Sequence, residues 1–302
     1  MASSDVAPLG PGQRARVLGQ LGLVVVLWAS TFPVSKVALA ETTPLLLAGL
    51  RYAVSGLFLG LWWHLRATPR RVGNKVPWGS VVAFTLTGVV AFNAFFYLGL
   101  RQSTAVNGSL IQPVVAAIMT ALLGWIILGE RMASWRYAAF PLATAGVVLV
   151  IVGAPARMLD LSTLVGNLLF VLAGSSFALS NIVGRHLFQR VATLPAVVLA
   201  TTLGAVVLLL LAGVEGGWGR LDEVSWRVWA IVLYMGVGAT GLGYLWWYRG
   251  VESIGATRTG VFIFLVPVVG ALLSVLFLGE TLHPVQVVGG VLALVGVALV
   301  LL

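Results

Sequence analysis

Apolar residues run along this chain in blocks of about twenty with few polar interruptions and no two-residue alternation, and short polar segments separate them. Ten blocks fall at approximately 17–37, 43–65, 78–100, 103–128 and 133–153, then 164–186, 194–215, 227–249, 255–278 and 284–302. The breaks carry turn and charge signals: Arg66 to Pro77, Glu130-Arg131, Pro155 to Asp160, Gly216 to Glu223 and Gly279 to Pro284. A helix of such a block is as long as bilayer hydrocarbon is thick, whereas a barrel strand would be half that length and would alternate apolar with polar positions. The pattern predicts an all-α integral membrane protein of ten transmembrane helices.

Composition sharpens this. Of the 302 residues 60% are hydrophobic and 9% charged, against roughly a quarter charged in soluble domains, and only lipid accepts so much apolar surface. Residues 1–16 are polar, lack the apolar core and cleavage pattern of a signal peptide, and are expected to form a cytoplasmic tail before a retained first span. The net charge of +9 does not signal a nucleic-acid partner, because the basic residues sit between apolar blocks, where they set topology. With the N-terminus inside, 12 of the 18 Lys and Arg fall on the cytoplasmic side, so both termini are expected there. Six of the nine acids fall on the other side. Cysteine is absent, and His64, His186 and His283 are dispersed at span ends, so no disulfide, metal or cofactor is expected.

The chain repeats itself weakly. Trp28 to Lys36 resembles Phe177 to Arg185 at an offset of 149 residues. Tyr97-Leu98-Gly99-Leu100 before Ala105 matches Tyr248-Arg249-Gly250-Val251 before Ala256 at an offset of 151. Leu128-Gly129-Glu130-Arg131 matches Leu278-Gly279-Glu280-Thr281 at an offset of 150. Three matches in order predict two units, 17–153 and 164–302, of five spans each. An odd number of spans makes the second unit enter the membrane from the opposite face, which gives inverted repeats around a central site.

Trp28-Ala29-Ser30-Thr31-Phe32-Pro33, the Leu-Arg-Tyr of Leu50 to Tyr52, the run Asn107-Gly108-Ser109-Leu110-Ile111-Gln112 and the two Leu-Gly-Glu endings resemble the drug/metabolite transporter superfamily. The ten-helix branch with two EamA-type repeats is the nearest pattern, and within it the chain is similar to bacterial exporters of aromatic amino acids. The resemblance implies export of amino acids across a bacterial inner membrane by alternating access; no enzymatic activity is expected, and a monomer is the expected unit. One departure is visible: Pro113 sits about one turn earlier in the fourth span than Pro267 does in the ninth.

A site for a polar metabolite inside lipid needs hydrogen-bonding groups at mid-depth beside backbone breaks. The candidates are Trp28 and Thr31 in the first span, Asn93 and Tyr97 in the third, and Asn107 and Gln112 in the fourth. In the second half they are Ser176, Ser180 and Asn181 in the sixth span, and Tyr244 and Trp247 in the eighth, in a stripe that starts at Thr240. For each Ser or Thr, a bond within or between helices is the simpler role. Lys36 and Arg51, near the outer ends of the first two spans, are expected to snorkel to the interface, with attraction of a substrate carboxylate as the alternative. All nine acids map to tails, loops or span ends, which disfavours exchange of protons for cationic drugs at a buried carboxylate. Sugar phosphates or nucleotide sugars would need several convergent cations, and an intramembrane lipid-modifying enzyme would need clustered acids or a nucleophile with its base; the spans supply neither.

Overall fold

The computed structural model describes residues 11–66, 76–129, 136–153 and 160–301. Tail residues 1–10, the Glu130-Arg131 break and residues 154–159 of the next break lie outside the described residues.

The described residues fold into helices joined by short turns, with no strand among them. The order is α1 (Pro11–Ala38), α2 (Pro44–Arg66), α3 (Trp78–Phe84, Thr85–Ala91 and Phe92–Gln102 in continuous succession), α4 (Ala105–Leu128) and α5 (Arg136–Val152). Then come α6 (Leu161–Phe188), α7 (Thr193–Val214), a 3-10 turn (Gly217–Glu223) and α8 (Trp226–Leu233, Tyr234–Leu242 and Gly243–Ile254). The chain closes with α9 (Ala256–Gly260, a 3-10 turn Val261–Phe264, and Leu265–Leu278) and α10 (Pro284–Leu301). Eight of these, all but α5 and α10, are long and apolar enough to cross a bilayer. Shorter apolar stretches, Ala139–Val152 and Pro284–Leu299, lie in α5 and α10. The first helix departs from expectation at its start. It begins at Pro11 rather than near residue 17, because a helix satisfies its own amides in water as well, and the polar, exposed turn Gly12 to Arg16 carries no hydropathy signal.

Helix ends show why the sequence breaks where it does. Both Leu-Gly-Glu glycines end a helix in the left-handed region, Gly129 at φ 65° after α4 and Gly279 at φ 65° after α9, a conformation glycine adopts without steric cost. The middle segments of α3 and α8, Thr85–Ala91 and Tyr234–Leu242, are π-helical. Such stretches carry a wider turn and shift the carbonyl register, so side chains find acceptors there.

Neighbours repeat in pairs across the bundle. Helix α5 packs on α10, α2 on α7 and α4 on α9, while α1 contacts α8 and α9 as α6 contacts α3 and α4.

One face of the bundle is bound together by carboxylates. Helices α2, α4, α6 and α8 all begin there, and each of these four N-termini receives an acid. Glu215 accepts from Leu45 N at 3.0 Å, Glu41 from Ser225 N at 2.8 Å and Asp160 from Thr163 N at 2.9 Å. Glu280 accepts from both Ala105 N (2.9 Å) and Val106 N (2.8 Å). A carboxylate there meets free N–H groups and the positive end of the helix dipole. Glu41, Glu215 and Glu280 each reach a helix other than their own, so they tie the bundle's ends together.

The amide of Ser225 holds the Glu41 carboxyl below its usual range. A depressed folded value makes this contact fully effective above the ordinary carboxylate range and weaker as pH falls through the folded value. Melting temperature in detergent should therefore fall on acidification below about pH 4, and less steeply in Glu41→Gln. An equal slope in both proteins would assign the acid sensitivity to other groups.

Candidate functional site

A cavity of about 290 Å³ lies among α1, α2, α3, α4, α6, α8 and α9. Its shallowest lining residue on α2, Arg51, is seven residues beyond Pro44, about 10 Å below the carboxylate-bound face. Its deepest on α6, Asn181, is about 30 Å below that face. Between the cavity and the carboxylate-bound face the side chains of Ser35, Leu47, Leu100, Asn107 and Ile111 are buried. At the other end Asn181 is exposed and Gly260 and Ile263 are half-buried. The cavity is thus sealed toward one face and reaches exposed groups toward the other.

Aromatic rings form most of the wall. Trp28 donates from Nε1 to the Ala239 carbonyl at 2.8 Å, in the π-helical part of α8, which fixes the indole. It packs edge-on to Tyr244 (centroids 6.2 Å apart, planes at 73°) and against Trp247 at 5.1 Å. Phe92 and Phe177 meet at 5.4 Å and Phe32 and Phe96 at 5.3 Å, closing the sides toward α3 and α6.

Arg51 does not snorkel. Its side chain is 8% exposed and lines the cavity. Nε donates to Thr240 Oγ1 at 2.9 Å, Nη1 donates to Tyr97 Oη at 3.1 Å, and the guanidinium lies 5.7 Å from the Tyr52 ring centroid. The cause is rotational: Leu57, Leu61 and Leu65 form the exposed stripe of α2, and Arg51 belongs to the opposite, buried stripe with Ser55 and Leu59. That all-leucine stripe was the available sequence signal for the outward face. Among the described lining residues Arg51 is the only charged side chain. Lys36 does not reach the interface as a free ammonium either. It donates to the Leu100 carbonyl at 2.5 Å and to the Ser103 carbonyl, at the C-terminal end of α3, where a cation meets the negative end of the helix dipole.

The sequence candidates separate into three groups. Trp28, Thr31, Gln112, Asn181 and Tyr244 line the cavity, and Trp247 backs Trp28. The Gln112 side chain makes no hydrogen bond to a described residue, Asn181 donates to Thr120 Oγ1 at 3.1 Å, and Thr31 returns its hydroxyl to the Trp28 carbonyl at 2.6 Å. Tyr97 stands behind Arg51 and accepts from its Nη1. The others do not line the cavity. Asn93 donates to the Val89 carbonyl (2.7 Å) in the π-helical part of α3, and Ser180 to the Phe177 carbonyl (2.7 Å). Ser176 is half-buried on α6. Asn107 belongs to a polar knot nearer the carboxylate-bound face, donating to Ser103 Oγ (3.3 Å) and Asn167 Oδ1 (3.1 Å) and accepting from Gln286 (2.8 Å). Lining residues that carried no functional expectation from the sequence include Tyr52, Phe92, Thr120, Phe177 and Ile263. Phe177 was legible as the counterpart of Trp28 in the repeat.

The proline departure also has a structural correlate. Pro113 lines the cavity within the continuous α-helix α4, whereas α9 passes through the 3-10 turn Val261–Phe264 before the buried Pro267.

A protein-family model, the EamA-like transporter family, matches residues 19–152 and again 164–302. The chain belongs to this family of transporters. Membership makes it a multi-pass membrane transporter and not an enzyme. The transporter YyaM of Bacillus subtilis, uncharacterized by its name, is 32% identical over 72% of this chain and 71% of its own. A probable amino-acid metabolite efflux pump of Salmonella typhimurium is 30% identical over 91% of each chain. A probable terminal-alkyne amino-acid exporter of Streptantibioticus cattleyicolor is 26% identical over 95% of this chain and 93% of its own. A protein of solved crystal structure aligns with a TM-score of 0.66 at 19% identity, over 94% of this chain and 96% of that one; at this identity the likeness concerns the fold alone.

Proposed function

We propose that this EamA-family transporter exports amino acids, aromatic and other neutral ones included, from the cytoplasm across a bacterial inner membrane. It does so as a monomer by alternating access at the Arg51 cavity. The observation that carries the reading is a buried guanidinium facing an aromatic-walled cavity, because a cation held inside the membrane marks a substrate path and its natural occupant partner is a carboxylate. Arg51 receives the carboxylate. Trp28, Tyr244, Phe92 and Phe177 face the side chain, and Gln112 offers a side-chain amide without a partner among the described residues.

The mechanism rests on ten transmembrane helices in two inverted five-helix units, 17–153 and 164–302, with both termini cytoplasmic. The paired helix contacts, the π-helical stretches in α3 and α8 and the left-handed glycines 129 and 279 support that symmetry. Excess Lys and Arg on the N-terminal side support the orientation. In that orientation the carboxylate-bound face is outside and closed, and the cavity opens inward. Equivalent halves exchange shapes to reverse this. Homologues named as amino-acid metabolite efflux pumps support the substrate class. A cavity with one cation among its described lining suits a single carboxylate better than the phosphates of a sugar nucleotide.

Proteoliposomes containing the protein should move labelled tryptophan or threonine faster than empty ones. Trp28→Ala should slow tryptophan by up to about tenfold, since losing one aromatic contact costs about 0.5–1.5 kcal/mol. Rates equal to empty vesicles across a broad amino-acid panel would end the substrate assignment.

A further inference from the structure

The cavity's charge is unbalanced in a way that constrains its ligand beyond the presence of a carboxylate. Arg51 contributes one positive charge, its two described hydrogen-bond partners are the neutral hydroxyls of Thr240 and Tyr97, and no carboxylate lies among the described lining residues. The other hydroxyl and amide groups of the lining (Thr31, Tyr52, Gln112, Thr120, Asn181, Tyr244) are neutral, and Thr31 and Asn181 already donate to protein acceptors. A zwitterionic amino acid therefore neutralises Arg51 with its carboxylate but leaves its own ammonium as a net positive charge in an apolar, buried space. A monoanion leaves no net charge. Charge unpaired in a low-dielectric interior is strongly disfavoured, and a site discriminates sharply for a polar group only where it supplies that group's partner.

We propose that the site reads the carboxylate and the apolar side chain and offers no carboxylate to the α-ammonium among its described lining, so that its preferred ligands are apolar monocarboxylates, including N-acylated and deaminated amino-acid derivatives. This rests on the reading above in one respect, that Arg51 meets the substrate carboxylate. The aromatic walls then select the tail, and Gln112, whose amide has no described partner, is available to a neutral amide or carbonyl on the α-carbon. Export of such compounds places the protein after reactions that acylate or deaminate amino acids.

The test is titration calorimetry of the intact protein in detergent at pH 7.5 with four ligands of one skeleton: L-phenylalanine, N-acetyl-L-phenylalanine, 3-phenylpropionate and L-phenylalaninamide. N-acetylphenylalanine and phenylpropionate should bind at least as tightly as phenylalanine, and phenylalaninamide at least tenfold more weakly. Arg51→Gln should weaken both monoanions at least tenfold, and Arg51→Lys should restore part of that affinity. If phenylalanine binds while both monoanions are tenfold weaker, the ammonium is recognised, and this inference falls while amino-acid export stands. Phenylalaninamide binding as tightly as phenylalanine would also overturn it. If the monoanions bind and phenylalanine does not, this inference holds and amino-acid export falls. Binding by none of the four overturns both. The comparison on the unmodified protein decides the matter even if the Arg51 variants do not fold.

Discussion

Gly146→Leu will lower the stability of the protein by about 3 kcal/mol, read as a fall in melting temperature and in the yield of folded protein in detergent. Helices α5 and α10 approach each other through their backbones. A Cβ placed on Gly146 would stand 2.3 Å from the Ala293 amide nitrogen and 2.6 Å from the Gly289 carbonyl oxygen. One on Gly296 would stand 2.5 Å from the Ala143 amide nitrogen. Neither neighbour is a flexible side-chain tip, so relief requires the helices to separate. In lipid, helix association depends on this close van der Waals fit, because burying leucine against another helix gains little over burying it in acyl chains. The pair takes no part in lining the cavity, so the defect should appear as lost protein rather than as altered substrate preference. Gly22→Ala is the control, since its added methyl meets nothing within 4 Å, and its melting temperature should be unchanged or slightly higher. A Gly146→Leu protein as stable as the parent would mean that α5 and α10 are not packed this closely.

Glu280→Ala is expected to have the second largest effect, on conformation more than on folding. Its carboxylate holds two amides at the start of α4, with the Lys36 ammonium close enough to interact electrostatically. Lys36 in turn bonds the carbonyls that end α3, so one acid and one base span α1, α3, α4 and the turn after α9. Removing the carboxylate frees both amides and should cost about 1–2 kcal/mol of the closed arrangement, a shift of about tenfold in the population open at this face. The absence of cysteine makes the measurement clean. A single Ser103→Cys, at a position 3% exposed behind these contacts, should react with a membrane-impermeant maleimide about tenfold faster when Glu280→Ala is added. Unchanged labelling would remove Glu280 from the closure of this face. Glu280→Gln, which retains one acceptor oxygen, should fall between the two.

Five of the eleven candidate residues line the cavity, and the reason the others do not is geometric. Helical spacing tells which residues share a stripe, as Trp28 and Thr31 do, but gives no rotation of that stripe relative to the other helices. Asn93 and Ser180 are polar and buried, yet each donates to a carbonyl of its own helix rather than into the cavity. Asn107 is equally buried but bonds to three other polar side chains nearer the carboxylate-bound face. Arg51 shows the converse. A lone basic residue two turns inside a span has the same sequence appearance whether it lies along lipid or faces the cavity, and only its neighbours Tyr97 and Thr240, 46 and 189 residues away, decide.

Hydropathy alone determined that this chain is helical and membrane-embedded, because lipid permits unbroken apolar blocks only where each backbone amide is bonded within its own helix. Local sequence also set the helix ends, through acids, prolines and the Leu-Gly-Glu glycines. Tertiary structure decided what local patterns do not carry: which stripe faces inward, that α5 and α10 touch at their backbones, and that carboxylates on other helices hold α2, α4 and α8 at one face. These depend on contacts between residues far apart in the chain, where distance and rotation, rather than spacing, choose the partner.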